Sequence, residues 1–182
     1  PARRRDLPHL AGIEDAGLAL FEGVLGDLTG DPLAAPATSG EERAADDGLL
    51  LVTEPAPDEA PVGFVHVRFL DGHAHIDQLS VHPDHMRRGI CTAMVEAACV
   101  QLSARGYGSV TLLTYADLAW NAPFYAGIGF AEVPDDEPRT RHQIALIAHE
   151  DELGLARHGR RVLMRRLLRQ HRSAAELIAH LP

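Results

Sequence analysis

Lysine is absent from this chain: all 17 basic residues are Arg. Beside the many Ala, this reads as the base composition of a GC-rich bacterial genome, not as a chemical device. Cysteine is nearly absent too. Cys91 and Cys99 sit eight residues apart in one predicted helix. They are separated by about 12 Å along its axis, too far for a disulfide, so a reducing compartment fits. No apolar run approaches the roughly 20 residues that a membrane span needs. Pro1 to Asp6 are charged and carry no signal-peptide core. These absences predict a cytoplasmic protein with no membrane partner. The chain does not begin with Met, so a first strand upstream is an open expectation.

What is present is a body of 182 residues with 46% hydrophobic content, enough for one domain with a substantial core. Net charge is −9, unevenly spread. Residues 139–182 hold nine Arg against four acids, a balance of +5, which leaves −14 on the rest. An acidic body argues against nucleic acid as a partner, and the basic C-terminal stretch reads as a solvated strand and helix face.

Asp6 is placed to cap a first helix, with Pro8 in its first turn. Leu10, Ile13, Leu20, Phe21 and Val24 supply its apolar stripe. Residues 29–48 read as a loop with a short helix around Glu41–Ala45, followed by a strand over Leu49–Thr53. Glu54–Pro61, with three prolines, is a turn. Gly63–Leu70 alternates Val65, Val67 and Phe69 with His66 and Arg68, a half-buried strand. Asp71-Gly72 is a hairpin turn, and the return strand runs from Ala74 to Val81. After Pro83, Gly89 opens a helix with Ile90, Met94, Val95, Ala98 and Leu102 inward, closed by Gly106. A strand over Val110–Thr114, a short helix over Asn121–Ala126, a strand over Phe130–Val133, a helix over Thr140–Leu153 and a strand over Val162–Leu167 complete the body. Ser173 with Glu176 forms a capping box for a tail helix. An antiparallel hairpin followed by a strand–helix–strand crossover predicts a mixed α+β fold around one sheet. The predicted division is a single domain over 1–170 and a tail helix over 171–182, the latter a candidate surface for a homodimer.

The stretch from Leu79 to Thr92 carries the chemistry. A strand ends at Val81, a turn follows, and Arg87-Arg88-Gly89 lead into a helix. The first N–H groups of a helix lack internal partners and sit at the positive end of its dipole, which suits a pyrophosphate. Gly89 allows close backbone approach, and Arg87 and Arg88 add charge-assisted hydrogen bonds. Together with Leu79-Ser80-Val81-His82-Pro83-Asp84 and a downstream Asn121-Ala-Pro-Phe-Tyr125 and Gly129-Phe130, the pattern resembles the GNAT superfamily of N-acetyltransferases, over about residues 62–134. The family's helix-opening signature falls here on Met86, Gly89 and Cys91. The central Gly matches and the other two depart.

The resemblance implies a central mixed, mostly antiparallel sheet with a splayed parallel strand pair flanked by helices. It implies acetyl-coenzyme A as cosubstrate, with the pantetheine paired to the backbone of Leu79 and Val81 beside Ser80. The pyrophosphate would lie over Met86, Arg87, Arg88, Gly89, Ile90, Cys91 and Thr92, and Asn121, Phe124 and Tyr125 would lie along the arm. Tyr125 is the implied acid at the sulfur. His75 and Asp77, placed with Leu79 on one strand face by period-two alternation, fall where the family places a base, acting directly or through a water. The expected function is transfer of acetyl to an amine by direct attack in a ternary complex. A small amine is favoured, because Glu150, Asp151 and Glu152 would attract a cation. An acyl-coenzyme A sensor and an acetyltransferase of protein N-termini are the alternatives. His73, His75, His82 and His85 suggest a metal only weakly, since no Cys or carboxylate completes a tetrahedral set; no metal is expected.

Overall fold

The computed structural model describes residues 1–169; the tail helix expected after Ser173 lies outside them. Six strands form one sheet in the order β1-β2-β3-β4-β6-β5. β1 (Gly48–Thr53), β2 (Gly63–Leu70) and β3 (His73–Val81) form an antiparallel meander. β4 (Ser109–Tyr115) runs parallel to β3, and β6 (Arg161–Leu167) pairs antiparallel with both β4 and the short β5 (Ala131–Glu132). This is the mixed α+β arrangement with one parallel pair that the sequence predicts. β5 is shorter than expected.

α4 (Ile90–Ala104) covers one face of the meander, burying Met94, Val95, Ala98, Cys99 and Leu102. A Cβ added to Gly63 would stand 3.3 Å from the Met94 sulfur, so Gly63, Val65 and Val67 face α4. The opposite face meets α1 (Leu10–Asp15) and α3 (Gly40–Ala45): Leu10 and Ile13 are buried, and the Arg43 guanidinium lies 5.1 Å over the Phe64 ring. α3 starts at a capping box in which Ser39 and Glu42 satisfy each other's backbone N–H. α6 (Arg141–Glu152) has the same device in Thr140 and Gln143. It lies on the α1 side of the sheet, because the His142 ring is 4.7 Å from that of His73 and His73 is the cross-strand partner of Leu70.

Two expectations for the N-terminus are corrected. The Asp6 side chain caps nothing; it turns back to accept from the N–H of Arg3 at 2.7 Å and is buried to 1% exposure. The first helix is also not continuous. It divides into α1 and α2 (Leu18–Leu25) around Ala16-Gly17, where glycine lowers helix stability. After the break no residue of α2 is fully buried: Phe21 still packs on Tyr115 at 6.3 Å, centroid to centroid, while Val24 is 59% exposed.

Candidate active site

Between β3 and β4 the sheet is barely joined. Their register holds only two pairs, Ala74↔Val110 and His75↔Thr111, after which β3 continues to Val81 and β4 to Tyr115 without pairing each other. The far edge of β3 stays tied to β2 down to Gly63↔Val81. The N–H of His82 turns to Val62 on that side, at 2.8 Å. Backbone groups alternate sides along a strand, so those of Leu79 and Val81 turn toward the gap. An extended chain with amides could pair there as an added strand.

At the open end, Pro83–His85 makes one tight turn and the chain enters α4 through two left-handed residues, Arg87 (φ 57°) and Gly89 (φ 77°). A Cβ on Gly89 would meet no atom within 4 Å, so its requirement for glycine comes from backbone conformation and not from crowding. The N–H of Met86 is donated to Pro83 at 3.2 Å. Those of Arg87, Arg88, Gly89, Ile90, Cys91 and Thr92 donate to no carbonyl among the described residues. Arg87 and Arg88 are exposed; Arg88 reaches back to the Asp84 carbonyl at 3.1 Å. A run of free N–H groups at a helix start flanked by two guanidiniums is chemically suited to a pyrophosphate.

α5 (Ala122–Gly127) begins after Asn121, whose side chain makes no cap, leaving its amide free to serve another partner. Phe124 packs half-buried against the core. The Tyr125 ring is held between Phe124 at 5.1 Å and Phe130 at 5.5 Å, centroid to centroid. The hydroxyl has no hydrogen-bond partner among the described residues. Burial, reinforced by the nearby Cys91 thiol, pushes the phenol well above its ordinary range, so its proton stays on. Cys91 itself is half-buried and its thiol is pushed up by burial, which argues for packing over reactivity.

β3 carries a bulge. His66 pairs with Gln78 and Val67 with Ile76, so Asp77 is an extra residue opposite none. The alternation expected along this strand is therefore corrected. His75 and Asp77 do share the α1 face, but the inserted residue flips the phase and sends Leu79 to the α4 face as the partner of Val65. Asp77 sits in a network the sequence did not reveal. Its Oδ2 meets His66 Nδ1 at 3.3 Å and Arg43 Nη1 at 3.4 Å, and Arg43 Nη2 holds Glu14 of α1 at 2.6 Å. Burial would raise the Asp77 carboxyl, but the hydrogen bond and charge of His66, with Arg68 and Arg43, leave it below the usual range. Glu14 is displaced upward by its own burial, only partly offset by Arg43.

His75 is 4% exposed and its Nδ1 lies 3.0 Å from Thr111 Oγ1. That hydroxyl donates to the Ala74 carbonyl at 3.4 Å, so it accepts from His75, which leaves Nε2 of a neutral ring as the free acceptor. Burial, opposed by Asp77, pushes the imidazole down to about 4, well below the 6.5 of a free histidine. Of the acidic run in α6, Glu150 is committed to Arg161 at 2.8 Å, while Asp151 and Glu152 are exposed. Among the described residues, no group of three or more His, Cys, Asp or Glu is placed to hold a metal ion, and no helix is long and apolar enough to cross a membrane.

Residues 27–130 match the family model described as the acetyltransferase (GNAT) family. The chain belongs to the GNAT family. Solved structures repeat the GNAT fold at low identity. The ribosomal-protein-S18-alanine N-acetyltransferase of Escherichia coli is 19% identical, with 95% of this chain and 94% of that chain covered and a TM-score of 0.60. The paia N-acetyltransferase of Thermoplasma acidophilum, solved with coenzyme A, is 15% identical over 90% and 93%, with a TM-score of 0.65. The N-acetylglutamate synthase of Neisseria gonorrhoeae, solved with coenzyme A and N-acetyl-glutamate, is 16% identical, covers 93% of this chain but 34% of that one, and gives a TM-score of 0.62.

Proposed function

We propose that this protein transfers the acetyl group of acetyl-coenzyme A to a small amine by direct attack in a ternary complex. The observation that carries this reading is the β3–β4 splay, closed at Ala74 and His75 and opening onto the free N–H groups ahead of α4. A pantetheine along Leu79 and Val81 would bring its thioester toward the closed end, with the pyrophosphate over residues 86–92. The coenzyme A in the solved structures from Thermoplasma and Neisseria supports the cosubstrate.

Thiolate is a fair leaving group, so positioning supplies much of the rate and no covalent enzyme intermediate is needed. Tyr125 is the proposed donor to the departing sulfur; burial raises its phenol and so weakens it as an acid, which makes a hydrogen bond to the developing thiolate its main contribution. On the amine side, His75 Nε2 and Asp77 are the proposed pair. His75 is a neutral acceptor across the physiological range, weak because its conjugate acid titrates near 4, and Asp77 orients a water or the incoming ammonium. α6 lies over the face an acceptor would cross, which favours a small amine over a protein N-terminus.

Thiol release with a panel of small amines tests the reading. Tyr125→Phe is expected to lower kcat by roughly 10²–10⁴-fold while coenzyme affinity holds, because the ring packing on Phe124 and Phe130 remains. Unchanged kcat removes Tyr125 from the mechanism. Release with peptides alone, and no small amine, refutes the acceptor class.

A further inference from the structure

Beneath α6 lies a cavity of about 350 Å³. Its floor is Leu113 of β4 and Leu163 of β6, and Ile147 of α6 contributes to its roof. Leu113 and Leu163 are register partners. Leu113 is two residues from Thr111, the partner of His75, so on a pleated strand the two share a face about 7 Å apart. The cavity therefore opens on the sheet face that carries His75 and Asp77.

Its charges do not all cancel. Arg161 is matched by Glu150 at 2.8 Å and Arg160 by Glu132 at 3.2 Å. Three lining groups are left without a close ion pair: Arg139, Asp135 and Asp151. Arg139 spends Nη2 on the Val133 carbonyl at 3.1 Å; its ion-pair partner, the fully exposed Asp135, is 3.6 Å away, and Glu137, itself held by Arg165, also feels its charge. Arg139 Nη1 is buried and has no partner among the described residues. A buried, unpaired guanidinium N–H is costly, and an anion beside it would remove that cost. Asp151, which also lines the cavity, makes no ion pair among the described residues.

We infer that this cavity binds the acceptor as an aminocarboxylate, its carboxylate on Arg139 and its ammonium drawn in by Asp151. The inference rests on the acetyltransferase reading for the fate of the amine, and on the cavity alone for the binding. It also sets a length. Arg139 lies two residues ahead of α6 and Asp151 nearly ends it; the ten helical steps from Arg141 to Asp151 alone span about 15 Å. After both side chains reach inward, the remaining gap calls for a carboxylate several bonds from the amine, as in an ω-amino acid or the side-chain amine of a diamino acid, and not for glycine.

Calorimetry on the full chain saturated with coenzyme A, using 6-aminohexanoate, hexylamine and glycine as probes, tests this directly. 6-Aminohexanoate is expected to bind at least tenfold tighter than either comparator. Arg139→Met should weaken it about 10- to 100-fold, the range for a lost charge-assisted hydrogen bond, and Arg139→Lys should restore part of the loss. Equal affinities for 6-aminohexanoate and hexylamine in the wild-type protein overturn the inference, as does an Arg139→Met protein that binds unchanged. Thiol release, measured in parallel, separates the two readings. Equal acetylation of both amines keeps the transferase and removes the carboxylate site. Tight aminocarboxylate binding with no thiol release from any of the amines does the reverse.

Discussion

His75 shows how one side chain links stability to pH. Its folded pKa is about 4 against 6.5 when unperturbed, so between those values the unfolded chain holds a proton that the native state refuses. Stability on this account is complete above about pH 6.5 and falls as pH drops toward 4, by roughly 3 kcal/mol in all. His142, also lowered by burial and by His73, acts in the same direction. His75→Gln is expected to flatten the slope between pH 6.5 and 4 while leaving that from His142. Denaturant melts of the two proteins across this window check it, and parallel curves would show that His75 is hydrated in solution. The side-chain identity was legible in the sequence, but the environment was not. Nothing local to His75 announces that Thr111 and α6, distant in the chain, enclose it. Arg43, Glu14 and Arg139 escaped notice for the same reason: an unremarkable Arg becomes informative only when its partners, or its lack of one, are known.

At the scale of elements, local signals were reliable where the chain's own chemistry decides the structure. The Asp71-Gly72 turn, with both residues at positive φ, sits where expected, as does the left-handed Gly89 ahead of α4. Signals failed where a single residue changes the phase. Asp77 enters β3 as a bulge opposite the His66–Val67 step of β2, and Ala16-Gly17 divides a stripe that periodicity alone would continue. Gly89 gives the sharpest test. At φ 77° a β-branched residue is strained by about 1–2 kcal/mol and would shift the free N–H groups of residues 87–92. Gly89→Val is expected to weaken acetyl-coenzyme A binding at least tenfold with little loss of fold, since its Cβ has open space. Equal affinity by calorimetry would mean that the phosphates are held elsewhere.

The whole molecule is a sheet in two halves, β1-β2-β3 and β4-β6-β5, joined at two residue pairs and bridged on one side by α4, whose Glu96 is paired with Arg166 of β6 at 2.6 Å. Such a seam leaves the backbone groups of lower β3 without a strand partner, and they are the natural place for a ligand to complete the sheet. The motif order pointed to a strand–helix–strand crossover here. The extent of the gap emerged only from the register, because pairing between distant strands is a tertiary property. If the coenzyme lies in the seam, its amides should mend it selectively. Hydrogen exchange at Leu79 and Val81, which turn into the gap, is expected to slow on adding coenzyme A at about a hundred times its Kd. Global linkage at that concentration adds about 2.7 kcal/mol of stability. It acts on amides that exchange only through global unfolding, so the pattern must be read at amides that open locally. Ser80, whose N–H belongs to the β2 side, supplies the internal control: under local exchange it should change less than its two neighbours. Uniform slowing of all three would mean stabilisation without a strand-like contact. No change at any of them, with binding verified by calorimetry, would place the coenzyme outside the splay.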